Sequence, residues 1–162
     1  NDDTTFLRGV QFTNSSGFVT FTSIFPGWYG SRTVHIHLRV HTNVDVEGST
    51  IPSFSNTLHT GQLYFDDAVG DSVAVFAPYS ATSVRTHNDD DGLFRQQLGS
   101  NAIIETTIPT TLADGIYGTV SLGVLAGSED GATGTQTQTS AGTTITLTWP
   151  LLGWLLFYWA RG

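Results

Sequence analysis

Cysteine, methionine and lysine are all missing from this 162-residue chain. Without cysteine no disulfide framework exists, and the redox compartment is not written in the composition. Charge is scarce as well: only 12% of residues are charged, and six cations, all arginine, face fourteen carboxylates for a net charge of −8. An acidic chain with no basic cluster matches a phosphate backbone poorly, so nucleic acid is not an expected partner. The same acidity has an ordinary reading, since net charge away from zero keeps chains apart in solution. No nucleotide, haem or zinc motif is present, and no organic cofactor is implied. Long amphipathic helices are lacking too, and the apolar stretch Trp149–Ala160 has twelve residues without a charge. About twenty are needed to cross a bilayer, so no membrane span is expected.

What is present is the punctuation of an all-β chain. Short runs rich in Val, Ile, Phe and Thr are separated by Gly, Asn, Asp and Pro. The pattern predicts strands over Phe6–Phe12, Phe18–Phe25, Thr33–Thr42, Gly61–Phe65, Ile103–Thr107, Gly118–Leu125 and Thr143–Trp149. Asn14 to Gly17 reads as the turn of a hairpin joining the first two. The expected fold is an antiparallel β-sandwich with long connecting loops and an apolar C-terminal tail. Its core spans 1–126, and 127–162 holds a Gly/Thr-rich linker followed by the tail. At this length one domain buries roughly 70% of its extended surface.

Between Ser72 and Leu98 the character changes. A short helix is expected around Ser72–Phe76, then a long surface loop. The acidic run Asp89–Asp91 reads as a solvated face, because calcium binding would need a spacing the segment lacks. Trp149 to Trp159 is too apolar to stand exposed, and a contact between chains is favoured over a core strand or insertion at a membrane interface. A homo-oligomer through this tail follows. A lipid-anchor signal has a similar layout. Asn14-Ser15-Ser16 is a glycosylation sequon. The chain opens on Asn1 without a signal peptide. A removed leader or a longer precursor would account for this, and secretion to the extracellular space is the expected localisation.

Chemistry concentrates in Thr33–His41. As a strand it places Val34, Ile36, Leu38 and Val40 on one face and His35, His37, Arg39 and His41 on the other. Two imidazoles at i and i+2 then point the same way, within reach of one metal ion. Histidines in strands are commonly structural, so the pair needs its context. A bent Pro-Gly-Trp-Tyr loop just upstream can bring Tyr29 to the same spot. Phenolate oxygen with imidazole nitrogen suits non-haem Fe(III), a hard Lewis acid that ionises a bound phenol. Arg32, between Tyr29 and His35, supplies a fixed positive charge for an anionic substrate or intermediate.

Four ordered segments resemble one family. Phe6-Leu7-Arg8-Gly9-Val10-Gln11, Phe25-Pro26-Gly27-Trp28-Tyr29, Arg32-Thr33-Val34-His35-Ile36-His37 and Thr60-Gly61-Gln62-Leu63-Tyr64-Phe65 look like the core of the intradiol ring-cleavage dioxygenases. The extracellular, mainly fungal subgroup is the nearest in pattern. The resemblance runs from about Thr5 to Leu125. It implies a mononuclear Fe(III) held by two tyrosines and two histidines, with Tyr29, His35 and His37 as ligands. Tyr29 would be the axial tyrosine that leaves iron and accepts a substrate proton. Arg32 and Gln62 would line the substrate pocket and stabilise charge. The implied reaction is cleavage of a catechol by O₂ to a cis,cis-muconate.

Two departures stand out. The family's first tyrosine ligand lies upstream of the Leu-Arg-Gly-Val-Gln segment, and none of the twenty-eight residues before Tyr29 is Tyr. An incomplete chain, a replacement ligand and a lineage that has stopped catalysing are the competing explanations. Tyr64 sits in a strand and is expected in the core. Relatives also read Tyr-x-Gly-Arg where this chain has Tyr29-Gly30-Ser31-Arg32. Beside the enzyme stand two alternatives. One is a secreted structural protein that reuses the fold and self-associates through its tail; the other is a metal- or phenol-binding module without turnover.

Overall fold

The computed structural model describes residues 7–45, 53–82, 84–124 and 141–149. Strands dominate. In chain order these are β1 (Phe18–Thr22), β2 (His35–Asp45), β3 (Ser53–Tyr64), β4 (Glu105–Thr107), β5 (Ile116–Val124) and β6 (Ala141–Trp149). Two short helices, α1 (Asp67–Ala74) and α2 (Gly92–Gln96), lie between β3 and β4. The strands form a four-stranded sheet in the order β1-β6-β5-β4 and a two-stranded sheet of β2 and β3. Both sheets feed one apolar cluster: Val19 from β1, Leu63 from β3, and Ile116 and Val120 from β5 are buried in it, beside Phe25, Val34, Phe65, Val73 and Ile104. Burying each such side chain stabilises the fold by roughly 1.5–3 kcal/mol. Among the described residues no helix is long and apolar enough to cross a membrane.

Several sequence expectations shift in detail. The Asn14 turn forms, closed by Gly17 N–H donating to the Asn14 carbonyl at 2.9 Å. Asn14 Oδ1 accepts from the N–H groups of Ser16 and Phe18 at 3.0 and 2.9 Å. It is not a hairpin, however, because residues 7–12 form no strand, and β1 pairs in parallel with β6 instead. One parallel pairing therefore sits within a sheet expected to be antiparallel. Competition for β1 is decided by the core: with Val19 buried and Phe21 packed against the cluster, Phe18, Thr20 and Thr22 face outward. That resolves a facing which the alternation left ambiguous. The expected helix appears earlier, as α1, because Asp66 caps it by accepting from Ala68 N–H at 2.8 Å. The division expected at 126 and the apolar segment beyond Trp149 fall outside the described residues, while Trp149 itself pairs with Ile116 at the end of β6.

The β2–β3 ladder carries the chemistry-bearing face. It is antiparallel, with His35 opposite Tyr64, Ile36 opposite Leu63, and His37 opposite Gln62. Ile36 and Leu38 pack against the apolar cluster. The other face therefore presents His35 and His37 from β2 beside Tyr64 and Gln62 from β3. A register shift between Val40 and His41 separates this part from the outer end of the ladder.

Candidate metal centre

Tyr29, His35 and His37 are neighbours in space. The Tyr29 and His35 ring centroids are 6.1 Å apart, and those of His35 and His37 are 5.1 Å apart. The loop is responsible for the first of these contacts. Tyr29 and Arg32 form an isolated antiparallel bridge, with Arg32 N–H donating to the Tyr29 carbonyl at 3.4 Å. Between them Ser31 adopts φ 69°, the left-handed region where a glycine carries no penalty. Tyr-Gly-Ser-Arg thus makes the same kind of tight turn that a glycine at position 31 would make with less strain. Tyr29 remains 40% exposed, which leaves its phenol accessible to a ligand.

His35 is buried, and its tautomer is set by the backbone. Nδ1 lies 2.7 Å from the Thr33 carbonyl, which can only accept, so Nδ1 carries the proton. The lone pair then belongs to Nε2, a buried atom. Burial pushes His35 down to about 4; the Thr33 carbonyl works in the opposite direction, while the Arg32 and His37 charges lower it further. His37 is also lowered, first by desolvation and then by Arg32 and Arg39. Both imidazoles are therefore neutral at pH 7, the form that binds a metal.

Among the described residues no group of three or more His, Cys, Asp or Glu could hold a metal ion. The set here is different: two imidazole nitrogens and a phenol oxygen. Such a set fits a ferric ion, whose hardness favours phenolate and which accepts imidazole. The surroundings of His35 support the fit, since a ligating histidine usually donates its other ring N–H to a carbonyl, as His35 does to Thr33.

Arg32 and Gln62, expected to line the substrate pocket, meet each other. Arg32 Nη2 donates to Gln62 Oε1 at 2.5 Å, and the Tyr64 hydroxyl donates to the same oxygen at 2.8 Å. With Oε1 committed to two donors, the donating Nε2 end of the Gln62 amide is turned away from Arg32. Tyr64 is buried, as expected of a core residue, and desolvation raises its pKa, so its hydroxyl keeps its proton.

The acidic run Asp89–Asp91, expected to be a solvated face, is one only in part. Asp89 and Asp90 are exposed, but Asp91 is completely buried. Its Oδ2 accepts from Arg32 Nε at 2.9 Å and from Thr33 N–H at 3.0 Å. Its Oδ1 caps α2, accepting from Leu93 and Phe94 N–H at 2.8 and 3.3 Å. Burial alone would raise this carboxyl, but the Arg32 guanidinium and the N–H groups of Thr33, Leu93 and Phe94 outweigh burial and hold it below the usual range. Three positions earlier, buried Asn88 accepts from Thr33 Oγ1 at 2.6 Å and donates to the Phe65 carbonyl at 3.0 Å. Asn88 and Asp91 thereby join the start of β2 to the residue that follows β3. The signal in the sequence was Asp91-Gly92-Leu93-Phe94, a cap followed by apolar residues, which a helix of only five residues makes easy to overlook.

No family model matches the chain, and no curated protein matches it. Solved structures that resemble it include the following two. One is an intradiol ring-cleavage dioxygenase from Tetranychus urticae, at 25% identity and a TM-score of 0.45. The other is a crystal structure of a dioxygenase, at 25% identity and a TM-score of 0.46. Each likeness covers 79% of this chain and 45% of the other, so the chain spans less than half the length of those proteins.

Proposed function

We propose that this chain carries the ferric centre of an intradiol ring-cleavage dioxygenase, with a catechol and O₂ as substrates and a cis,cis-muconate as product. The observation that supports this most is the meeting of Tyr29, His35 and His37, with the proton of His35 held on Nδ1 by Thr33. Fe(III), when bound, would supply the Lewis acidity that ionises phenols and passes electron density of a chelated catecholate to its ring. The neutral nitrogens of His35 and His37 would hold it together with the Tyr29 oxygen. Tyr29, exposed at the end of its loop, would be the residue within reach of an incoming diol and would take up a hydroxyl proton on its phenol oxygen. Arg32 would face the negative charge that develops as oxygen attacks the ring. Gln62, fixed by Arg32 and Tyr64, would offer its amide N–H₂ to a substrate oxygen. Both oxygen atoms of O₂ enter the product, so no external reductant is needed.

A β-sandwich goes with this function, supported by the single apolar cluster that both sheets feed. Extracellular localisation belongs to the same proposal; Asn14 stands exposed on its turn, accessible to a glycan in a secreted chain. The resemblance implies a fourth ligand, a tyrosine upstream, and none of the twenty-eight residues before Tyr29 is one that could supply it.

Iron content and the visible spectrum test the proposal together. Loading with ferric salt is expected to give one iron per chain and a broad phenolate-to-metal band, followed by cleavage of a simple catechol. His37→Ala is expected to abolish iron binding while changing stability by less than about 0.5 kcal/mol, because His37 is exposed. A folded chain that takes up no iron and shows no band would overturn the dioxygenase function.

A further inference from the structure

Asp91 has four hydrogen-bond donors arranged around two oxygens, two on each. That is close to the full lone-pair capacity of a carboxylate. The two oxygens serve different elements. Oδ1 holds the start of α2, while Oδ2 holds Arg32 Nε and Thr33 N–H. From Arg32 the chain of contacts continues through Nη2 to Gln62 Oε1 and from there to the Tyr64 hydroxyl. A guanidinium is planar, so fixing its Nε edge at Asp91 and one Nη at Gln62 fixes the orientation of the whole plane.

We propose that Asp91 is the positioning residue of the site, its Oδ2 orienting the Arg32 guanidinium toward an anionic catecholate while its Oδ1 separately caps α2. The proposal rests on the ferric dioxygenase function given above. Asp91 does not touch metal or substrate; it acts through Arg32. Its burial suits that role, because a buried carboxylate holds a guanidinium in one pose, and an exposed one would be screened and mobile.

Asp91→Asn separates the two roles. Asparagine caps a helix about as well as aspartate, so the Oδ1 bonds to Leu93 and Phe94 can survive. The amide nitrogen that replaces Oδ2 donates and cannot accept from Arg32 Nε or Thr33 N–H. The first readout is the ¹⁵N–¹H signal of Arg32 Nε in the metal-free chain, assigned with Arg32→Gln. It is expected to be slow in hydrogen exchange in the parent and fast and shifted in Asp91→Asn. The second readout is the iron-loaded chain: iron content and the charge-transfer band are expected to stay the same, while kcat for catechol cleavage falls on the order of 10²-fold. In an Arg32→Gln background the further loss caused by Asp91→Asn should vanish. Asp91→Ser, which keeps a capping oxygen, serves the same comparison should the asparagine variant not fold.

An Arg32 Nε signal that keeps its protection in Asp91→Asn, with full turnover, would overturn the proposal and leave Asp91 as a cap alone. Additive losses in the double variant would overturn it as well. Absent turnover in an iron-loaded parent overturns the dioxygenase function instead, and the Nε signal then reports by itself whether Asp91 orients Arg32.

Discussion

His37 of β2 stands directly opposite Gln62 of β3. Because side chains alternate along both strands, a slip of one residue would carry one of the pair to the apolar side of the sheet. The ladder therefore decides that the imidazole and the amide share a face, and the amide's contacts decide which way it points.

Replacing Gln62 with leucine should test that arrangement through stability before any chemistry. Oε1 accepts from Arg32 and from the buried Tyr64 hydroxyl, so Gln62→Leu leaves that hydroxyl without its acceptor. A loss of about 1–3 kcal/mol in urea unfolding is expected. Adding Tyr64→Phe removes the stranded hydroxyl and should recover part of the loss, so the pair of changes is expected to be less than additive.

Ser31 offers a gain. Its φ of 69° is costly for a residue with a Cβ and free for glycine. Against this, glycine loses more chain entropy on folding. Ser31→Gly is expected to raise stability by up to about 1 kcal/mol, read as a higher unfolding midpoint. No change in iron binding is expected, because the turn already holds Tyr29 in place.

Gly70 should behave in the opposite way. Alanine in a helix interior is worth about 1 kcal/mol over glycine. A Cβ at Gly70, however, would lie 3.0 Å from the Arg85 Cζ and Nε atoms. That guanidinium cannot easily yield, since it donates to the Asp67 and Asp71 carboxylates at 2.7 and 2.5 Å and to the Asp67 carbonyl at 3.1 Å. Gly70→Ala is expected to destabilise the chain by about 1–3 kcal/mol despite its better propensity, as a thermal melt would show.

Acid should loosen the clamp at Asp91. Its carboxyl is held below the usual range in the folded chain by Arg32 and backbone N–H groups that outweigh the effect of burial. The unfolded chain regains an ordinary value of about 3.9. The ionised carboxylate therefore stabilises the fold fully above that value, and the contribution fades as pH falls from there through the depressed folded value. Asp91→Asn should be less stable than the parent at pH 7, with the gap narrowing below about pH 4. Urea unfolding at several acidic pH values measures the gap; a constant difference across the range would contradict the assignment.

What the sequence determined alone was local. Alternation from Thr33 onward put His35 and His37 on one face of a strand, and Pro26, Gly27 and Gly30 announced the bend that carries Tyr29. Period and punctuation are properties of a few adjacent residues, so both are legible without a fold. The partners of those residues were not. β1 follows an obvious turn yet pairs in parallel with β6, because burying Val19 and Phe21 in the shared core outweighs the short connection to residues 7–12. Asp91 looks like the end of a solvated acidic run, and only the folding of residues 86–94 over the start of β2 removes it from water. Burial and the meeting of distant donors are sums over the whole chain: Arg32 and Asp91 are 59 positions apart, and nothing between them records that they touch.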